Sequence, residues 1–223
     1  QIDNVTISGA DTAKADGQET VTIRAQVKDK NGNTKLKGVA VGWNTTLGTL
    51  PSSLSSTDAN GVAEITLSSR AAGTAWVSAM LGGGSPVKAN KAINFTAGDI
   101  SADKSSLSLS PSRIIAEKET ATLRVIARDT EGNLLTGLKD KVNANFASDL
   151  KMNVSAFKEV STGVYEATVS GKKAGTTQVS ADVSNIRINH TASLTLSADN
   201  NTAKVKGSIS ATPTSATVGD VVT

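Results

Sequence analysis

The chain has 223 residues, a length suited to two domains of about 100 residues each. Only 3% of the residues are aromatic, and 23 Lys and Arg against 20 Asp and Glu give a net charge of +3. This composition argues against a nucleic-acid-binding module, in which clustered basic residues accompany stacking aromatics. With no Cys, the chain cannot be a disulfide scaffold or a thiolate metal site. No apolar run reaches about 18 residues, so we expect no membrane-spanning helix, and the start at Gln1 rather than Met leads us to expect a fragment of a longer protein.

The predicted elements of the first hundred residues are β-strands. Apolar and polar residues alternate over 21–27, which gives a strand one buried side and one side facing solvent. Abundant Thr and Val favour strands, and no window shows the apolar period of a helix. Turn residues at 29–32 and 58–61 separate the strands. In chain order, the predicted strands lie at 5–7, 21–27, 39–43, 62–67, 75–80 and 87–95.

The chain repeats itself. The segment 19–33 returns as 119–133, where Glu-Thr-Val-Thr-Ile-Arg is matched by Glu-Thr-Ala-Thr-Leu-Arg and an Asp-x-x-Gly-Asn turn follows in both copies. Further on, 61–79 matches 163–181 at an offset larger by two residues, which we attribute to an insertion at 134–141. Such self-similarity is the signature of tandem structural repeats.

This repeat predicts domains at 1–99 and 100–206, and the truncated start of a third repeat at 207–223. Each complete copy has about seven strands at the spacing typical of an immunoglobulin-like (Ig-like) sandwich. The predicted fold class is therefore all-β, with Ig-like β-sandwiches in tandem. The connection at 97–100 is short and lacks a Pro- or Ser-rich stretch, which indicates limited hinge motion.

Several segments resemble the bacterial Ig-like repeats of the intimin/invasin family. They are Leu-Lys-Gly-Val-Ala-Val-Gly-Trp at 36–43, Gly-Thr-Leu at 48–50, Thr-Asp-Ala-Asn-Gly-Val-Ala at 57–63 and Ala-Gly-Thr at 72–74. The resemblance covers nearly the whole chain, and the second copy departs from it at Asn143, Asn145 and Asp149. It implies a segment of an inverse autotransporter adhesin on a Gram-negative cell surface, exported through and anchored in the outer membrane by a region outside this fragment. Its partners would be neighbouring Ig-like repeats of the same chain.

Few residues could carry chemistry. His190 is the only His and has neither a second His nor a Cys to complete a triad or a metal site, so we expect a surface role. Asp99 and Asp103 at the junction are too few for the roughly six to eight oxygens around Ca²⁺. Asp58 is expected to serve a turn. We therefore expect no cofactor, no metal and no enzymatic activity.

The two tryptophans have different predicted roles. Trp43 is in register with the inward-facing valines of its strand and is matched with Phe146, so we expect it to fill the core. Trp76 alternates with Val77 and is matched with Gln178, so it is expected to point outward as a candidate protein-contact residue. The alternative is that a neighbouring strand or the loop at 82–86 covers its ring.

Three functions remain open. The leading hypothesis, which depends on the resemblance and on the absence of a chemical site, is a stalk that projects an adhesive tip or contributes to host-cell attachment. The alternative is a module that itself binds a host-surface protein such as a receptor, a matrix protein or an antibody. A carbohydrate-binding accessory module is the third, although it would need a platform of aromatic rings that this composition hardly supplies.

Overall fold

The computed structural model describes residues 1–199, which form two β-sandwiches that follow one another along the chain. The segment 207–223, predicted as the start of a third repeat, lies outside the described residues. The strands of the first sandwich are β1 (Ile2–Ser8), β2 (Thr12–Lys14), β3 (Val21–Val27), β4 (Ala40–Thr45), β5 (Leu54–Ser56), β6 (Val62–Leu67), β7 (Gly73–Ala75), β8 (Val77–Met80), β9 (Val87–Lys88) and β10 (Ile93–Thr96).

The second sandwich also has ten strands within the described residues, and a single 3-10 turn at Lys139–Lys141 precedes its fourth strand. The strands are β11 (Ser106–Ser110), β12 (Arg113–Ile115), β13 (Ala121–Ile126), β14 (Val142–Phe146), β15 (Asn153–Val154), β16 (Lys158–Ser161), β17 (Val164–Ser170), β18 (Gly175–Val183), β19 (Ile186–Arg187) and β20 (Ala192–Ser197).

The two sandwiches share the order of their main strands but differ in the added ones, because β5 pairs with β4 in the first whereas β15 and β16 pair with β17 in the second. In the first, β1-β3-β6 forms one layer, and β5-β4-β8-β9 with the short sheet β2-β10-β7 forms the other. In the second, β11-β13-β17-β15 faces β12-β20-β18-β14, with β16 added to β17 and β19 added to β18. Strand pairs are antiparallel except β2 with β10 and β12 with β20, which are parallel. The all-β fold class predicted from the sequence is confirmed.

Both sandwiches have more strands than the sequence predicted. In the first, two segments predicted as single strands are each divided into strands that belong to different sheets. The single strand predicted over 87–95 is wrong: β9 pairs with β8, whereas β10 pairs with β2 and β7. Between them Ala89 is buried and the amide of Asn90 donates to the carbonyl of Val5, and the chain passes from one sheet of this layer to the other there. The strand predicted over 75–80 is likewise divided at Trp76, whereas its counterpart β18 is continuous.

Each sandwich has its own hydrophobic core. The inward-facing residues of β3 are at most 2% exposed, and complete burial of one such Val or Ile contributes about 1.5–3 kcal/mol. The corresponding residues of β13 are equally buried, as the period of two predicts. The first core draws its buried residues from Val5 to Phe95, and the second from Leu107 to Leu196.

The register of β4 and β14 shows that the predicted match between Trp43 and Phe146 is wrong. Trp43 pairs with Ala79, whose counterpart in the repeat, Ala181, pairs with Ala144. Trp43 therefore corresponds to Ala144, and Phe146 lies two residues further along β14, where it is only half-buried. The cause is that the insertion in the second copy is divided, with one extra residue before β14 and one after it, rather than lying in a single loop.

The second core obtains aromatic volume from the opposite layer. Tyr165 on β17 is fully buried at the position that Ala63 occupies in the first sandwich. Its hydroxyl donates to the carbonyl of Leu135 at 2.7 Å and accepts from the amide of Leu138 at 3.1 Å, and burial raises its pKa. The first sandwich thus has Trp on β4 and Ala on β6, whereas the second has Ala on β14 and Tyr on β17.

Candidate functional site

A polar joint connects the two sandwiches at the loop 129–133, which follows β13. Asp129 is only 2% exposed, and its Oδ2 accepts a hydrogen bond from the amide of Gly98 in the linker at 2.8 Å. Its Oδ1 accepts from the amides of Glu131 at 3.0 Å and Asn133 at 2.8 Å. One carboxylate therefore fixes both its own loop and the linker that leaves the first sandwich.

Asn133 extends this joint to the first sandwich itself. Its Oδ1 accepts from the amide of Ala72 at 2.8 Å, and its Nδ2 donates to the carbonyl of Arg70 at 2.9 Å. The second Nδ2 hydrogen is donated to Asp129 Oδ2 at 2.9 Å. Arg70 also forms an ion pair with Glu131 at 2.8 Å, but its side chain is 65% exposed, so that pair contributes at most about 1 kcal/mol. We refer to loop 129–133, Gly98 and residues 70–72 as the interdomain joint.

The charge of Asp129 is maintained by these contacts. Burial by itself would raise the pKa of the carboxyl group, but hydrogen bonds from the Asn133 side chain and from the amides of Gly98, Asn133 and Glu131 together hold that pKa below its ordinary value. The carboxylate is therefore ionised at neutral pH, and each amide donates to a charged acceptor, which makes a stronger bond than a neutral one.

The sequence predicted only part of this joint. It indicated a short connection with limited hinge motion, and it identified 129–133 as a repeated turn, but it gave no reason to place that turn against residues 70–72. The signal that could have found it was the repetition of both Asp and Asn of the turn, since a Gly alone would suffice for a simple reversal of the chain.

Trp76 lies between β7 and β8 on the outer side of the first sandwich. Its neighbours Ala75 and Val77 are buried, whereas Trp76 is half-buried. The ammonium group of Lys88 on β9 lies 3.4 Å from the ring centroid, a cation–π contact that contributes about 0.5–1 kcal/mol at an exposed site. A neighbouring strand thus covers one part of the ring, and the role of Trp76 as a protein contact stays a prediction.

Apolar residues also lie on the outer surface of β8, β4 and β5, where Ser78 separates them from Trp76 along the chain. Met80, Gly42 and Leu54 face one another across these strands, and Leu54 is 59% exposed. A Cβ atom at residue 42 would lie 3.2 Å from Met80 Cγ, so the glycine allows Met80 to lie across β4. We call Gly42, Leu54, Trp76, Met80 and Lys88 the outer strip. Apolar surface of this kind is a common feature of protein contacts.

The other candidates from the sequence do not converge on one site, although the segments that carry Asp103 and His190 contact each other. Asp58 Oδ1 accepts from the amides of Asn60 and Val62, both at 2.9 Å, which is the expected turn role. The Asp99 side chain is 97% exposed, and Asp103 accepts from the side chain of Asn189. His190 is exposed and donates from Nδ1 to the carbonyl of Ser105 at 3.0 Å.

The described residues contain no cluster suited to a metal ion. Within 1–199, no three His, Cys, Asp or Glu side chains are grouped so as to hold a metal ion. A surface cleft of about 740 Å³ lies at the far end of the second sandwich and is lined by Lys118, Lys151 and Lys172 together with Glu117 and Glu119. It contains no His, and no Ser or Thr in it is paired with a base in the manner of a catalytic nucleophile.

Comparison with known proteins agrees with this architecture. The family model of the bacterial Ig-like domain (group 1) matches residues 4–96, and the model of invasin domain 3 matches residues 101–199. The chain belongs to the bacterial Ig-like repeats of the intimin/invasin family. The resemblance identified from the sequence is thereby confirmed, and the segment is of the adhesin type.

The similar proteins are longer than this chain. The inverse autotransporter adhesin YeeJ of Escherichia coli is 30% identical over 87% of this chain, which spans 9% of YeeJ. InvD of Yersinia pseudotuberculosis shares the fold, with a TM-score of 0.67 and 22% identity over 88% of this chain and 57% of that one. Invasin, described as a bacterial integrin-binding protein, has a TM-score of 0.50 and 28% identity over 88% of this chain and 39% of its own.

Proposed function

We propose that this segment is part of the stalk of a bacterial surface adhesin, in which serial sandwiches hold a binding tip away from the cell. The interdomain joint is the observation that carries this proposal. A stalk can hold a tip at a fixed distance from the cell only if its domains do not rotate freely against one another. Domains joined by a linker alone rotate freely by default. Here the linker amide of Gly98 and the loop 70–72 are both bonded to loop 129–133.

The strength of the joint is consistent with this role. Four hydrogen bonds join the first sandwich and its linker to Asp129 and Asn133, of which the one to the carbonyl of Ala15 is long at 3.5 Å. A well-formed bond contributes about 0.5–1.5 kcal/mol, and the one accepted by the charged carboxylate contributes more. Together they restrict bending while leaving each sandwich with a separate core. The mechanism is therefore architectural, and we propose that the segment has no enzymatic activity.

The location and partners follow from the same proposal. An adhesin segment of this kind would be exposed on the outer surface of the cell, exported through and anchored in the outer membrane by another part of the protein, with further Ig-like repeats as its neighbours. The name of YeeJ, an inverse autotransporter adhesin, supports this assignment. Within residues 1–199, no helix is long and apolar enough to cross a membrane.

We also propose that residues 1–99 and 100–206 are separate folding units. The described part of each range has its own core, and the two family models meet between residues 96 and 101. The fragment 1–99 should unfold cooperatively in urea. Failure of that fragment to fold would place the boundary elsewhere.

The stalk proposal is tested by replacement in the full-length adhesin. Residues 1–199 are exchanged for two unrelated Ig-like sandwiches of equal length, and attachment of the bacteria to host cells is measured at matched surface abundance. A stalk tolerates this exchange, whereas a Gly/Ser linker of the same number of residues should reduce attachment because it lacks stiffness. Loss of attachment with the unrelated sandwiches would refute the stalk proposal.

A second candidate function is direct binding of a host receptor through the outer strip. The exposed Leu54 and the half-buried Trp76 favour it, and the similarity to the integrin-binding protein invasin indicates an integrin as the first receptor to examine. Binding of the purified chain to an integrin ectodomain should then be reduced by Trp76→Gln and by Leu54→Ser. Val160→Ser, at a 52% exposed residue of the second sandwich, is the control. No binding by the wild-type chain would reject this function for that receptor.

A further inference from the structure

The first sandwich carries a second copy of the loop that forms the interdomain joint. Loop 29–33 has the same internal bonds as loop 129–133: Asp29 Oδ1 accepts from the amide of Asn33 at 2.9 Å, and Asn33 Nδ2 donates to Asp29 Oδ2 at 2.8 Å. The corresponding distances for Asp129 and Asn133 are 2.8 Å and 2.9 Å. The two loops therefore present the same carboxylate and amide groups in the same geometry.

The two loops differ in what covers them. Asp129 is buried and Asn133 is half-buried by the first sandwich, whereas Asp29 is half-buried and Asn33 is exposed. Because the internal bonds match, Asn33 Oδ1 and Asp29 Oδ2 correspond to the atoms that accept from the amides of Ala72 and Gly98 in the second copy. Loop 29–33 of the first sandwich thus repeats the part of the joint formed by loop 129–133. The described residues place no counterpart of Gly98 and residues 70–72 against loop 29–33.

The start of the chain lies beside loop 29–33, just as the linker between the two sandwiches lies beside loop 129–133. The amide of Ser101 donates to the carbonyl of Arg128 at 2.7 Å, and the amino group of Gln1 donates to the carbonyl of Lys28 at 2.8 Å. Gln1 is therefore the counterpart of Ser101, and a residue three positions before Gln1 would be the counterpart of Gly98. Any chain that continues from Gln1 toward the amino terminus leaves beside loop 29–33.

We propose that loop 29–33 is the docking site for a further Ig-like domain on the amino-terminal side of Gln1. That domain would donate a linker amide to Asp29 Oδ2, and a loop equivalent to 70–72 would exchange two hydrogen bonds with the Asn33 side chain. Asn31 stands where Glu131 pairs with Arg70, so docking depends on Asp29 and Asn33 rather than on an ion pair. This inference rests on the proposed function, in which Ig-like repeats adjoin one another.

The test uses a fusion that supplies the missing half of the joint. A second copy of residues 1–100 is placed directly before Gln1, which sets its Gly98 three residues before Gln1. Because the chain has no Cys, spin labels can be attached at introduced Cys pairs alone. One pair is Ser56→Cys in the added copy with Ser56→Cys in the chain. The reference pair, across the joint already described, is Ser56→Cys with Lys158→Cys. Pulsed dipolar spectroscopy gives the distance distribution of each pair.

The proposal predicts that the distribution across the new joint is as narrow as that across the reference joint. Asn33→Ala should broaden the new distribution and leave the reference distribution unchanged, and Asn133→Ala should do the reverse. Ala72→Pro in the added copy removes one donor without altering loop 29–33, so it should also broaden the new distribution. A broad distribution at the new joint in the unsubstituted fusion, or no effect of either substitution there, would overturn the docking proposal. A broad distribution at the reference joint would instead contradict the stiff stalk.

Discussion

Replacing Trp43 with Ala should remove a large part of the stability of the first sandwich. Trp43 is 5% exposed, so its indole is almost completely removed from water, and truncation of a buried large aromatic costs about 3–5 kcal/mol through lost burial and the cavity left behind. The lost bond from Nε1 to Ser55 Oγ adds little, because Ser55 is half-buried and water can replace the indole. Since domains of this size have about 5–15 kcal/mol in total, the variant should be marginally stable.

Urea denaturation of the full chain measures this loss. Both Trp residues lie in the first sandwich and the only Tyr lies in the second, so Trp76 fluorescence and Tyr165 fluorescence report the two sandwiches separately. With a slope of about 1–2 kcal/mol per M, the midpoint of the first transition should fall by roughly 1.5–5 M while the second stays in place. Leu54→Ala, at a neighbouring exposed residue, is the control and should change stability by less than about 0.5 kcal/mol. A loss below about 1 kcal/mol for Trp43→Ala would refute the assigned packing.

Three further predictions concern a turn, a titration and the outer strip. Gly61→Ala should destabilise the first sandwich far more than Gly32→Ala. Both glycines have positive φ, but of the two only Gly61 would bring its new Cβ atom against a backbone oxygen, that of Thr34, at 1.9 Å. Equal melting temperatures of the two variants would contradict this reasoning. Because the pKa of Asp129 is lowered in the folded chain, its contribution to the free energy of unfolding is complete above the ordinary pKa of 3.8 and is lost as the pH falls through the lower folded value. The difference in melting temperature between wild type and Asp129→Asn should therefore be constant near neutral pH and shrink below pH 3.8. A difference independent of acidity would argue against an ionised Asp129. Lys88→Ala should increase acrylamide quenching of Trp76 in a Trp43→Phe background, and unchanged quenching would show that Lys88 does not cover the ring.

The strands and cores were predictable where the pattern is local. The alternation in β3 and β13 specifies which side is buried, since successive side chains of a strand point to opposite faces. The strand boundaries around Ala89 and Trp76 were not predictable in the same way, because there the chain passes from one sheet to another within a layer and the apolar pattern does not record which strand it pairs with. Phe146 was mismatched because the offset between copies gives the size of an insertion but not its position.

The interdomain joint shows where sequence reasoning about the site ends. In this joint Asn133 contacts Ala72 and Arg70, which precede it in the chain by 61 and 63 positions. A single sequence contains no pattern that links residues so far apart. The repeat did indicate that Asp and Asn recur in the same turn, which is half of the information. The other half, that this turn meets residues 70–72, depends on how the end of one sandwich approaches the next. The outward direction of Trp76 was accessible from alternation, whereas the covering Lys88 was not.

Residual dipolar couplings on the full chain test most directly whether the joint holds the two sandwiches as one stiff unit. The account predicts that backbone couplings from the first and second sandwiches fit a single alignment tensor of one magnitude, and that Asn133→Ala separates them into two. Asn33→Ala, the matched substitution in the uncovered loop, should leave the single tensor intact. Two tensors of different magnitude in the wild-type chain would mean that the sandwiches reorient independently, and the stiff stalk would be contradicted.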